Sequence, residues 1–115
     1  ADEIRLVHAN ACRIVHCPRS NEQLRCGTFP WELYARIGVA VGIGTDSRAS
    51  SPSLAVQEEV RFAARLHGRS ASAAALVRAA VKGGHQVLGL QPPRFVPGDH
   101  AAALHIWDAP STAAA

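Results

Sequence analysis

The sequence predicts an α/β fold, and three features carry that prediction. Val39 to Gly44 is a short, near-continuous apolar run, the pattern of a strand buried on both faces of a parallel sheet. After residue 30 the chain alternates helix, strand and helix, as α/β architectures do. Its 115 residues are 48% hydrophobic and 18% charged, enough for one folded domain and too few for two. Aromatic residues make up only 5%, and much of the apolar fraction is alanine, so the expected core is thin.

Residues 3–9, with Ile4, Leu6 and Val7, read as a strand ending at His8. Residues 12–17, with Ile14 and Val15, read as a second short strand, stopped by Pro18, which cannot donate to a ladder. The polar stretch 18–29 reads as a loop. Trp31, Leu33, Tyr34 and Ile37 have helical spacing, and Gly38 suits the left-handed position after a helix.

In the Val39–Gly44 run, Gly42 and Gly44 suggest close approach by a neighbouring backbone or a ligand. This strand leads directly into Thr45 and Asp46. Ser51 followed by Pro52 fits an N-cap with proline at the first helical position, opening a helix to about Leu66. Val56, Val60 and Ala63 share one face of that helix; Gln57, Glu58, Arg61 and Arg65 share the other. A further helix is expected from Ser72, carrying Leu76, Val77, Ala80 and Val81 inward and stopping at Gly83–Gly84, with a helical turn over 85–89. Pro97–Gly98 fits a type II turn, 103–107 a short strand, and 111–115 a frayed tail.

Several classes are excluded or disfavoured. No apolar run reaches the length of a membrane-spanning helix, and no signal-peptide pattern is present. The formal charge is +3, but the arginines are scattered from Arg5 to Arg94, so a basic nucleic-acid-binding module is the weakest reading. Cys12, Cys17 and Cys26 are odd in number and lack zinc-ribbon spacing; small buried cysteines explain them better than a disulfide framework or structural zinc. A chain that begins at Ala1 and has no methionine reads as part of something longer, or as a processed product.

Asp46 is the foremost chemical candidate. A carboxylate directly after a buried parallel strand sits where α/β barrels place catalytic and metal-binding groups. The alternatives are a cap on the next helix or an Asx turn with Ser47. His8 also ends an expected strand, where an imidazole can face the same cleft as a ligand or serve only as a packed or surface histidine. His16 could stabilise developing negative charge, or could simply pack at its strand end. His67, His85, His100 and His105 read as structural or solvated. Gly42-Ile43-Gly44 is no dinucleotide fingerprint, because the third glycine is missing and Asp46 would repel phosphate.

Longer strings add to this. Val15-His16-Cys17-Pro18-Arg19-Ser20-Asn21, then Leu24 and Gly27, resembles the amidohydrolase superfamily in its branch of cytosine, guanine and S-adenosylhomocysteine deaminases and triazine hydrolases. Gly42-Ile43-Gly44-Thr45-Asp46-Ser47 with Ala49-Ser50 resembles the last barrel strand of that branch. Glu58 or Glu59 with Arg61 and Ala63, then Ala79–Gly84 with Leu88-Gly89-Leu90, continue the likeness, and Val96-Pro97-Gly98-Asp99 is similar to the turn back to a small β-domain.

This resemblance implies the C-terminal part of a (β/α)₈ TIM-type barrel over residues 1–90, with 91–115 returning to the small β-domain. It implies a cytoplasmic metal-dependent hydrolase in which metal-activated water attacks a C–N or C–Cl carbon of a small nitrogenous substrate. The metal would be zinc, or alternatively iron or manganese. Asp46 would match the strand-eight ligand that also takes a proton from water, His8 the strand-five metal ligand, and His16 the strand-six histidine that polarises the substrate. Convergence of His8, His16 and Asp46 on one site is the mark of this reading. Parallel neighbours need a crossover of about a dozen residues. Only about three residues separate the strand expected to end at His8 from the next, so a segment is expected to be missing near 11–12. A non-catalytic remnant of such an enzyme is the alternative.

Overall fold

The computed structural model describes residues 2–94 and 96–98. The chain forms helix α1 (Asp2–Ala9), strand β1 (Ile14–His16), helices α2 (Pro18–Gln23) and α3 (Trp31–Ile37), strand β2 (Val41–Ile43) and helix α4 (Val56–His67). A 3₁₀ turn (Gly68–Ser70) then leads into a long helical stretch of α5 (Ala73–Arg78), a π-helical turn (Ala79–Gly83) and α6 (Gly84–Leu88). The strands pair in parallel, with Ile14 opposite Val41, Val15 opposite Gly42 and His16 opposite Ile43. Among the described residues no helix is long and apolar enough to cross a membrane.

The first segment corrects an expectation. Residues 3–9 are helical, and His8 lies in the last turn of α1 rather than at a strand end. Ile4 and Val7, three residues apart, are half-buried on one side, while Leu6 is exposed. The link to β1 is continuous. Ala11 adopts a left-handed φ of 49°, its N–H donates to the His8 carbonyl at 3.0 Å, and the Cys12 N–H donates to the Val7 carbonyl at 2.9 Å. These two bonds form a Schellman closure, which satisfies the last carbonyls of a helix. The crossover argument for a missing segment near 11–12 thereby loses its premise, since residues 3–9 are not a strand. The crossover that parallel pairing requires is residues 17–40, which join β1 to β2 through α2 and α3.

Part of the expected loop over 18–29 is helix α2. Pro18 occupies its first turn, where a missing N–H costs nothing. Helix α3 ends as predicted, with Gly38 at φ 73°. Strand β2 sits within the predicted run, and the expected close approach is to α6: a Cβ at Gly42 would lie 3.0 Å from the Val87 Cγ2 and 3.3 Å from the Gly84 Cα.

Helix α4 starts later than Ser51–Pro52 suggested. Ala55 is its N-cap, and the Ser51 hydroxyl is engaged by the Ser53 carbonyl and by Glu59. Ser72 does cap α5, accepting the Ala75 N–H at 3.2 Å. That helix does not stop at Gly83–Gly84 but runs on through them. The reason is steric: a Cβ on Gly83 would lie 2.1 Å from the Val41 carbonyl oxygen, so only glycine lets the helix rest directly on β2. Leu76 is fully buried, whereas Val77 and Val81, expected inward, are 45% and 40% exposed. The buried face runs Leu76, Ala79, Gly83; Val77 sits one residue, about 100°, round the helix from Leu76, and Val81, four residues on from Val77, shares its side.

The core is thin, as the composition implied. It comprises Trp31, Ile43, Ala63, Ala71, Leu76 and Ala79. It lies between the sheet and helices α3 to α5. Gly98, at φ 96°, occupies the expected turn with Pro97. The predicted strand 103–107, the tail 111–115, His100 and His105 lie outside the described residues.

Candidate active site at the carboxyl ends of the strands

Both strands deliver a titratable side chain to their carboxyl ends. His16 is the last residue of β1, and Asp46 follows β2 by three residues. The Gly44 N–H donates to the His16 carbonyl at 3.0 Å, tying the two exits together.

Asp46 is exposed and adopts φ 59°, a conformation uncommon outside glycine, though aspartate tolerates it best. Its Oδ2 accepts the Ser50 hydroxyl at 2.6 Å and the Ser20 hydroxyl at 2.8 Å. These hydroxyls, Ser50 first, hold its carboxyl below the usual carboxylate range, so it is anionic at neutral pH. Both donors fall on Oδ2 and neither on Oδ1. The helix-cap alternative does not hold, since α4 begins at Val56.

His16 is 1% exposed. Its ring stacks on Phe29 with centroids 4.5 Å apart, and Trp31 and His67 complete the surround. Its Nε2 lies 3.0 Å from the Nε2 of His67. Burial, reinforced by the neighbouring His67, lowers the His16 pKa to about 4, and burial also lowers that of His67. Both imidazoles are therefore neutral at pH 7, one donating to the other. The Nδ1 of His16 is buried with no hydrogen-bond partner.

The remaining candidates fall elsewhere. His8 is exposed on α1, so the strand-end placement that made it a candidate ligand is gone. His85 is half-buried and engages its own helix at the Val81 carbonyl. Cys12 and Cys26 are exposed rather than buried; Cys17 is half-buried, and burial together with the Asp46 carboxylate pushes its thiol up, away from nucleophilic character.

Sequence reasoning missed the residues that support the site. Ser20, Ser50 and Glu59 are 2%, 5% and 0% exposed. Glu59 faces inward with Ala63 and His67 along an i, i+4, i+8 stripe, a spacing that could have disclosed all three. Glu58, one residue earlier, is solvent-facing and pairs with Arg61 at 2.7 Å.

Among the described residues no group of three or more His, Cys, Asp or Glu side chains is placed to hold a metal, so the expected convergence of His8, His16 and Asp46 does not occur. Asp46 alone fits one position of a divalent-cation site. It is an ionised oxygen donor, oriented by hydroxyls in the way that outer contacts orient metal ligands.

The family model described as "Amidohydrolase family" matches residues 1–106. The chain belongs to the amidohydrolase family. This amidohydrolase chain is 50% identical over 92 residues to the aminodeoxyfutalosine deaminase of Deinococcus radiodurans, covering 80% of this chain and 22% of that protein. It is 38% identical over 117 residues to the 5-methylthioadenosine/S-adenosylhomocysteine deaminase of Halobacterium salinarum, covering 96% and 27% respectively. The chain thus spans about a quarter of the length of these curated relatives. Its backbone superimposes on a zinc-bound adenosine deaminase from Xanthomonas campestris with a TM-score of 0.70, at 38% identity, over 76% of this chain and 21% of that one.

Proposed function

We propose that the protein is a metal-dependent hydrolytic deaminase of small nitrogenous substrates of the nucleoside type, and that this chain supplies its Asp46 corner. In this reading β1 and β2 are strands of a (β/α)₈ barrel, whose carboxyl ends carry its chemistry. The observation that carries the proposal is the carboxylate of Asp46: ionised, exposed just beyond a parallel strand, and fixed through one oxygen by two serine hydroxyls. The zinc-bound neighbour and the deaminase relatives support the reaction class.

Asp46 would hold the cation, with zinc as the first choice. When bound, such a cation acidifies water toward neutral pH. Asp46, anionic throughout the neutral range, accepts a proton from the attacking water, and Ser20 and Ser50 keep Oδ2 oriented while it does so. Water adds to the ring carbon bearing the amino group, the C–N bond breaks, and ammonia leaves with the transferred proton. His16 contributes as a neutral imidazole whose unpartnered Nδ1 is the polar atom left to meet a reacting group. His8, exposed on α1, is not part of this proposal.

The test is ammonia release from adenosine, 5-methylthioadenosine, S-adenosylhomocysteine and aminodeoxyfutalosine. Wild-type protein should deaminate at least one, and Asp46→Asn should lose turnover by at least about a thousandfold while remaining folded. Near-normal turnover in Asp46→Asn would reject the assignment. His16→Ala should lower turnover by orders of magnitude and leave metal content unchanged; loss of the metal would make His16 a ligand instead.

A further inference from the structure

We infer that Glu59 is a positioning residue for Asp46, acting through Ser20 and Ser50; this rests on reading Asp46 as the reacting carboxylate. Glu59 lies on α4 and is 0% exposed. Its Oε2 accepts the backbone N–H of Arg19 at 3.0 Å, and its Oε1 accepts the Ser51 hydroxyl at 3.2 Å. Arg19 and Ser51 are the chain neighbours of Ser20 and Ser50, the two residues whose hydroxyls hold Asp46. The arrangement is a clamp on a clamp. One buried carboxylate holds a backbone N–H on one segment and, on the other, a hydroxyl that it shares with the Ser53 carbonyl, and the residue beside each contact fixes the exposed carboxylate.

Physical considerations give Glu59 this duty rather than simple packing. Burying a carboxylate is costly unless hydrogen bonds offset the loss of water. Its ion pair is weak in geometry, since the Arg19 Nε is 3.9 Å away. Its two short contacts instead go to separate segments, the first turn of α2 and the loop after β2. Helix α2 has only six residues, too few to set its own position. Gln23 Nε2 also ties α2 to this loop, donating to the Ala49 carbonyl at 3.1 Å, but that bond is exposed; the bridge through Glu59 is the buried one, shielded from competing water.

Reach and charge are separable in a test. Glu59→Gln keeps the length of the side chain; its carbonyl can accept from Arg19 and its amide can donate to the Ser51 oxygen. Glu59→Asp keeps the charge but is one methylene too short to span both points. Zinc affinity of the metal-stripped protein, read by competition with a chromophoric chelator, reports on Asp46 without turnover. Glu59→Asp should bind zinc at least about tenfold more weakly than wild type, the usual effect of losing a residue behind a metal ligand, and Glu59→Gln should stay within about threefold. Both should unfold cooperatively.

Wild-type affinity in a folded Glu59→Asp protein overturns the inference, as does a Glu59→Gln protein as weak as Glu59→Asp. If Glu59→Asp does not fold, Ser51→Ala removes one arm alone and should weaken zinc by about threefold or more; an unchanged value overturns the inference. Asp46→Asn is the reference. If it binds zinc as wild type does, the reading of Asp46 fails and this inference falls with it, whereas weakening in Asp46→Asn without weakening in Glu59→Asp rejects Glu59 alone.

Discussion

Acid should destabilise this protein well above the pH at which carboxylates titrate, and the His16–His67 pair is the reason. His16 has a folded-state pKa of about 4 against 6.5 when free. The folded value is the lower, so between these limits the unfolded chain binds a proton that the folded chain refuses. Stability is therefore full above pH 6.5 and falls as the pH drops toward 4. At about 1.4 kcal/mol per pH unit, the gap between 6.5 and about 4 makes about 3 kcal/mol from His16 alone. His67, also lowered, adds in the same direction. Asp46 does not blur this window: its carboxyl is lowered from 3.8, so its contribution is lost only below that value. Urea denaturation from pH 7.5 to 4.5 should show a flat region above about pH 6.5 and a steep decline below it. His16→Leu, which removes the titrating ring, should flatten the decline. Imidazole resonances of the folded protein should place the His16 midpoint near 4. A midpoint near 6.5, or equal slopes in wild type and variant, would refute the argument.

Two more outcomes follow from backbone geometry. Gly83→Ala places a methyl 2.1 Å from the Val41 carbonyl oxygen, and since that obstacle is backbone the variant should lose about 3 kcal/mol or more in chemical denaturation; a loss below about 1 kcal/mol would show that the helix slides. Ala11→Gly, at φ 49°, should gain about 0.5–1 kcal/mol by removing a left-handed penalty, net of the added freedom of the unfolded chain; destabilisation would contradict the closure described for α1.

The parts readable from sequence were those where one local signal dominates. The apolar run around β2 and Gly38 after α3 each have a single physical cause, and each was found where expected. Residues 3–9 misled because Ile4, Leu6 and Val7 are too few to separate a period of 2 from one of 3.6. The helix reading rests on Ile4 and Val7, and on the acidic Glu3 near its start, which favours a helix N-terminus. Gly83–Gly84 misled because their local cost is outweighed by contact with β2, a tertiary effect that propensity cannot contain. At the site, Asp46 was readable because it follows a buried strand. The roles of Ser20 and Ser50 were not, because they exist only once α2 and the loop after β2 meet, and Glu59 was signalled only by its i, i+4, i+8 spacing with Ala63 and His67.

The seat of the π-helical turn on β2 has a mechanical consequence. Where Gly83 meets Val41, backbone lies on backbone with no side chain between them, while Gly42 faces both Gly84 and the Val87 side chain. The Gly83–Val41 joint has no rotamers to sample, so none of its thermal play can arise from side-chain hopping. Asp46 lies only four residues beyond Gly42, so the strand reaches the site from a footing whose spacing is set by main chain rather than by a rotamer. A substitution that lifts the helix off β2 at Gly83 would therefore displace the strand that leads to Asp46, and no side-chain repacking could absorb the change.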